Sequence, residues 1–420
     1  MDVCDQPAKS DCLNFVLYNA DFGCTSCLIQ DQTLCTDAGG HVHVYPYEPQ
    51  TQLRTSVQTI QHANLTTPDQ SVMGVKGNSA LLLIMPDFIR RIAIDRMHCC
   101  DGGVIKKILT LLFDASYSDK VFSLRAVMNQ IDNRLIGIKP PKFVHRMPRS
   151  INDLKHWKAS ELKMFCFYYA IPIFEGIMRP DYFQHLLKLI IGLFILSCDV
   201  ISDAMIEVAR DLLNCFVRNF EQLYGLRYCS INTHLLIHLP DSVRTLGPLW
   251  AHTCYESEDL NGQLLKLFHG TWHIDTNFAV LIYFVFYRNE NEMLNDGLQG
   301  WNNEIVFPAV YMDNQFQRPI PLPGTITDIY DGELYREWFN NGFLFTPNNI
   351  SFSWYTDGIP VYKSSHISIW PFYLTINELP FNERKKRENT LLLGYWFDDK
   401  KPYMNNFIYK FREELQRVAE

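Results

Sequence analysis

The strongest constraint on the fold is a change of hydrophobic period along the chain. From about residue 151 to 228, apolar residues recur at three- and four-residue steps. Trp157, Leu162, Phe165, Tyr168 and Tyr169 form one set; Leu186, Leu189, Ile190, Leu193 and Phe194 a second; Leu212, Leu213, Phe216 and Phe220 a third. Each set covers one helical face, so the segment predicts three long packed helices, a bundle with no evident chemistry of its own. From about residue 320 the period shortens. Segments 350–355, 366–376 and 390–397 read as strands, separated by turn chemistry at Asp357-Gly358, Asn377-Glu378-Leu379-Pro380 and Asp398-Asp399. Met404, Phe407, Ile408, Phe411, Leu415 and Val418 then fall on one helical face. A helix-period block beside a strand-period block predicts an α/β chain interrupted by a large all-α insertion.

Composition narrows the class. The 420 residues are 47% hydrophobic, enough for a sizeable core and against a mainly disordered chain. The net charge of −8 argues against a free-standing non-specific nucleic-acid binder, which needs a basic excess. Twelve cysteines are scattered, and no basic segment followed by an apolar stretch opens the sequence. Reduced thiols in the cytosol or nucleus are expected, with one pair available to hold a metal. The longest apolar run, residues 189–198, is too short to span a membrane.

Five motifs carry chemistry, each beside a plainer meaning. Asp5 in VCDQPAK follows a short apolar stub and presents a carboxylate at a strand tip, or is a turn-forming Asp before Pro. Cys24 and Cys27 form a CxxC, half of a zinc site or unrelated thiols. The nearest added ligands by sequence are His41 and His43, and by motif Asp95 and His98. Asp95 and His98 share a face if their segment is helical, or are a capping Asp and a surface His. Glu256, Glu258 and Asp259 precede an apolar run and can be N-terminal helix charges. Asp357-Gly358 opens a turn. Residues 1–60 read as strand plus loops rich in Cys and His, and 61–80 as a polar linker. The basic run Arg384-Lys385-Lys386-Arg387 reads as a solvated hairpin tip.

Taken together, these segments resemble the transposases of CACTA-type (En/Spm-like) DNA transposons. The matching pieces are TDGIPVYKSSHISIWPFYLTINELP (356–380), LLLGYWFDDKKP (391–402), VCDQPAK (3–9), GCTSC (23–27), GHVHVYPY (40–47), IDRMH (94–98), WKASELKMF (157–165), HLLIHL (234–239), GPLW (247–250) and EDLNGQLLKLFHGT (258–271). The resemblance implies a ribonuclease H-like mixed sheet with helices, a large all-α insertion and a Cys/His-rich loop region. Its three catalytic acids, ligands for Mg²⁺ or Mn²⁺, fall on Asp357, Asp5 and Glu258. Glu258 is preferred to Glu256 because of its spacing to Asn261-Gly262. The family pattern also carries Cys24, Cys27, Asp95 and His98, read as Zn²⁺ ligands. The implied units are a fourth strand with the CxxC loops (1–80), a DxxH segment and connection (81–150), the helical insertion (151–240), a Glu-bearing helix returning to the core (241–320), and a strand-strand-strand-helix block (325–420).

One departure from the family is large. The 325–420 block ordinarily precedes the DxPA–CxxC block, so the order is rotated, by circular permutation or by fusion of two truncated copies. The family's upstream DNA-binding region is absent. The expected chemistry is two-metal phosphodiester cleavage and DNA strand transfer, with nuclear location and DNA as partner implied by the resemblance. The resemblance leaves room for a homo-oligomer. The alternative is a non-catalytic transposon remnant that binds DNA or protein.

Overall fold

The computed structural model describes residues 1–36, 39–142, 144, 147–266, 320, 323–346, 349–361, 367–409 and 412. The expected return to the core over 267–319 and the helix beyond residue 409 lie outside the described residues.

The chain is mixed α/β with small sheets. Strands β1 (Gln32–Cys35) and β2 (His41–Val44) form a hairpin, and β3 (Ile201–Ser202) pairs with β4 (Thr325–Ile326). The largest sheet joins β5 (Phe352–Thr356), β6 (Ile359–Pro360), β7 (Ser368–Ile376) and β8 (Thr390–Asp398). β8 runs antiparallel to one edge of β7, while β5 and β6 both run antiparallel to the other. Asp357-Gly358 therefore does not reverse the chain as a hairpin turn would. It interrupts a single edge between β5 and β6. A Cβ at Gly358 would meet the Trp370 ring at 2.5 Å, so the break needs a residue without a side chain.

The sheet continues past β5 through two short extended segments. Residues 1–3 lie beside β5: Val3 N donates to Trp354 O at 3.0 Å, and Trp354 N donates to Met1 O at 2.9 Å. On their far side, Asp2 N donates to Arg91 O at 2.8 Å and Ala93 N donates to Asp2 O at 2.9 Å. Asp2 bridges both Trp354 and Ile92 in the parallel sense. Across the sheet the order is β8, β7, β5, residues 1–3, residues 91–93. The first three are antiparallel and the last three parallel.

Alternation along β5 covers both faces of this sheet. Trp354, with Phe372 and Leu374, packs against Ala8 and Leu13 on one side and against Phe407 and Ile408 on the same side. The Trp354 and Phe372 rings stack at 5.0 Å. Tyr355 and Tyr373 face the other way, onto Leu260 and Leu264 of the helix Tyr255–Leu265 and Leu334 of the helix Glu333–Asn340. Each such buried side chain stabilises the layer by about 1.5–3 kcal/mol.

A separate helical body carries its own core. Its longest members are Pro180–Ile195, with Pro180 at the start where a missing N–H costs nothing, and Asp203–Tyr224, capped by Ser202. Cys24, Cys27 and Tyr45 belong to this core, so the N-terminal loops pack on the helices. No helix among the described residues is long and apolar enough to cross a membrane.

Four local expectations need correction. Residues 6–13 are a helix, Gln6–Leu13, because the Asp5 side chain accepts from Ala8 N and Pro7 sits in the first turn. A second helix, Ser56–Asn64, capped by Thr55, runs into the expected linker. Arg384 is no solvated tip residue: it is buried, ends the helix Phe381–Arg384, and pairs with buried Asp328. Helical structure also starts well before residue 151, with a π-helix at Met97–Ile105 followed by Lys106–Phe113 and Met128–Gly137.

Candidate metal centres

Two groups of ligand-type side chains converge so that their atoms all lie within 4.8 Å of one another among the described residues. The first is Cys24, Cys27, His234 and His238. The cysteines come from the loop before β1. The histidines come from the helix Ile231–Leu235 and the 3₁₀ turn Leu236–His238 that continues it, where an i, i+4 spacing puts both rings on one face. Ser230 caps that helix by accepting from Thr233 N at 3.4 Å.

The geometry suits a tetrahedral ion. Cys27 Sγ lies 3.2 Å from His234 Nε2, and the two histidine Nε2 atoms lie 3.2 Å apart. Zn–N bonds of about 2.0–2.1 Å and Zn–S bonds of about 2.3 Å give tetrahedral edges of roughly 3.3–3.8 Å. All four side chains are buried, with exposures of 0, 0, 1 and 6%. Burial opposes ionisation of the Cys24 thiol, yet Cys27 and the charge of His234 bring it well below its ordinary value. Cys27 is pushed up by the Cys24 thiolate and by burial. Two cysteine sulfurs, one of them eased toward its thiolate, beside two imidazoles are a donor set for a metal such as zinc. The surroundings fix it: Arg54 Nε donates to Cys24 O at 2.8 Å, and Tyr45 stacks on His234 at 5.7 Å.

The Cys pair thus converges with ligands that the sequence reading did not assign. His41 instead contacts Cys35 Sγ at 3.6 Å, and His43 bonds Asp31. Asp95 and His98 are not part of the cysteine site. They form the second group, with Cys254. The available signal for His234 and His238 was their H-x-x-x-H spacing inside HLLIHL, but 207 residues separate Cys27 from His234.

Asp95 is buried and accepts from the Met97, His98 and Cys254 N–H groups at 3.2, 2.8 and 2.9 Å, capping the π-helix. It also holds His98 Nδ1 at 2.8 Å. It is both cap and partner. Burial would raise its carboxyl, but the bond and charge of His98 and the N–H of Cys254 bring it to about 2. Burial opposes the His98 imidazolium, and Asp95 outweighs it, so His98 is raised. π-Helices are rare, and here one aims a histidine, with His98 Nε2 3.8 Å from Glu258 Oε1.

The three expected acids lie on this side of the sheet. Asp5 follows the extended residues 1–3 and caps Gln6–Leu13. Asp357 follows β5, the neighbouring strand. Glu258 occupies the first turn of Tyr255–Leu265. Burial first, then the negative charges of Asp5 and Glu258, raise the Asp357 carboxyl to about 7, against weaker help from Gly358 N–H and His98. The three carboxylates are thus electrostatic neighbours, yet they do not gather as a group within 4.8 Å. Glu256 is raised by burial and senses Lys163 and Lys385 rather than Asp357. No known family model matches the chain, and no curated protein is significantly similar to it.

Proposed function

We propose that this chain is a ribonuclease H-like, DDE-type transposase derivative whose acid site cleaves and joins DNA phosphodiesters. The observation that carries the reading is the placement of Asp5 and Asp357 at the ends of adjacent parallel segments, with Glu258 close enough to help raise Asp357 to about 7. The sheet order supports it. Three antiparallel strands followed by two parallel segments is the arrangement expected when the 325–420 block supplies the first three strands and residues 1–3 the fourth.

The acids fit divalent metal ions. A half-buried carboxyl raised by burial and by two neighbouring carboxylates, against weaker help from His98, marks a concentration of negative charge, and hard oxygen donors suit Mg²⁺ or Mn²⁺. Asp357, Asp5 and Glu258 would hold the ions, which supply a charged clamp on the attacking and leaving oxygens. His98, held by Asp95, sets a positive-leaning edge against Glu258. The Cys24–Cys27–His234–His238 centre has no open position and ties the N-terminal loops to the end of the helical body. Its role is architectural, with zinc as the best-fitting ion. On this reading the partner is DNA, the location nuclear, and a second copy of the chain is compatible.

The test is nicking of plasmid DNA by purified protein in Mg²⁺ or Mn²⁺, compared with Asp357→Ala. Metal-dependent nicking lost in the variant supports the reading. No nicking, or nicking that survives the substitution, leaves a non-catalytic remnant that binds DNA or protein.

A further inference from the structure

Resting on the acid-site reading above, we infer that Tyr355, Asn261 and Tyr373 are positioning residues that hold one oxygen of Glu258 in place for the metal. The three are linked in one direction. Tyr373 Oη donates to Asn261 Oδ1 at 3.3 Å, Asn261 Nδ2 donates to Tyr355 Oη at 3.2 Å, and Tyr355 Oη donates to Glu258 Oε1 at 3.1 Å. The order of donors is dictated by its end. A carboxylate can only accept, so Tyr355 must donate to it. The Asn261 amide must then turn its NH₂ toward Tyr355 and its oxygen toward Tyr373.

Burial makes this chain costly unless every member is partnered. Tyr355, Asn261 and Tyr373 are 3, 2 and 1% exposed. Phenylalanine would pack as well on this face, where the two tyrosine rings stack at 6.2 Å. An unpaired buried hydroxyl costs about 1–3 kcal/mol, so the hydroxyls are kept for the bonds they make. Those bonds lead from the middle of the sheet to a group that water reaches, since the Glu258 side chain is 35% exposed. Solvent alone would satisfy that carboxylate. The chain instead pins Oε1 and leaves Oε2 without a hydrogen bond among the described residues.

The same links tie two elements to one carboxylate. Tyr355 is the residue of β5 two before Asp357, and Asn261 lies one helical turn after Glu258. A shift of the helix Tyr255–Leu265 along the sheet would move Glu258 and strain both its own link and that of Asn261 to Tyr355. Partners behind metal ligands typically change metal affinity by about 10–100-fold.

The experiment measures Mn²⁺ binding to the full chain by electron paramagnetic resonance, beside half-saturating Mn²⁺ in the nicking assay. Tyr355→Phe keeps the ring and is expected to weaken Mn²⁺ binding about tenfold. The half-saturating Mn²⁺ should rise equally, with the rate at saturating metal largely recovered. A merely structural hydroxyl would lower the melting temperature and leave metal affinity alone. Should Tyr355→Phe not fold, Tyr373→Phe, two bonds further from the carboxylate, carries the comparison with an expected rise of about threefold. Wild-type affinity retained in a folded variant, while Glu258→Gln loses binding, overturns the positioning role only. Wild-type protein that binds no Mn²⁺ overturns the acid-site reading and this inference with it.

Discussion

The Cys24–Cys27–His234–His238 group and the Asp5–Asp357–Glu258 group are built to opposite specifications. The first is closed: four soft or borderline donors, all buried, with Cys27 and His238 each 3.2 Å from His234. The second is open: three hard oxygens, partly exposed, near enough to raise Asp357 but not drawn together. A thiolate and an imidazole attract each other before any ion arrives, whereas carboxylates repel. The difference is the one the proposed function needs, a closed centre to hold the fold and an open one to meet a substrate.

The largest expected effect lies at the closed centre. Cys24→Ser or His234→Ala should remove about one zinc per chain and destabilise the protein by about 3–5 kcal/mol, since the remaining donors are left buried and uncompensated. Metal analysis and thermal melting check both. A variant that loses zinc and melts unchanged would dissolve the contrast.

At the open site the same kind of substitution should act in reverse. Asp357→Asn should reduce metal-dependent nicking roughly 10²–10³-fold. Without metal, however, it should stabilise the chain at neutral pH. Asp357 is raised from 3.8 to about 7 by burial and its acidic neighbours, so the folded state binds a proton more tightly than the unfolded state. Its contribution to stability is therefore greatest below about pH 4 and falls as pH rises to about 7. Urea unfolding at several pH values should show that slope, and Asp357→Asn or added Mg²⁺ should flatten it.

Asp95 should give the opposite limb. Its carboxyl is lowered from 3.8 to about 2 against the pull of burial, so its contribution is complete above pH 3.8 and lost as pH falls through about 2. Asp95→Asn should cost about 1–3 kcal/mol and erase this acid-side dependence, because an amide cannot satisfy the same three N–H groups and His98. Equal acid sensitivity in both proteins would argue that the Asp95–His98 pair is weak.

The smallest effect is the sharpest on assignment. His98→Ala should leave zinc content unchanged, as His98 belongs with Asp95 and Cys254. Loss of zinc in that variant would make the Asp95–His98–Cys254 group a zinc site of its own.

Legibility followed the range of the interactions. Strands near 352–356, 368–376 and 390–398 and the helices Pro180–Ile195 and Asp203–Tyr224 were readable because their periods are local. Residue by residue, Asp5 and Asp357 looked like turn formers, and only the resemblance singled them out. The helix behind Asp5 had a readable signal, an Asp cap with Pro in the first turn, that the turn reading obscured. The π-helix at Met97–Ile105 had none, since its hydrogen-bond shift depends on what packs against it.

By itself, the amino-acid sequence determined the class of the chain, its strand and helix blocks, the CxxC, and the acids available for chemistry. Tertiary structure alone decided which of them meet. It brought His234 and His238 to cysteines more than two hundred residues away, separated His98 from them, and laid residues 1–3 against β5 across 351 positions. Period and capping act within a few residues and leave their mark in the sequence. Ligand convergence depends on how distant faces pack, and no local pattern records it.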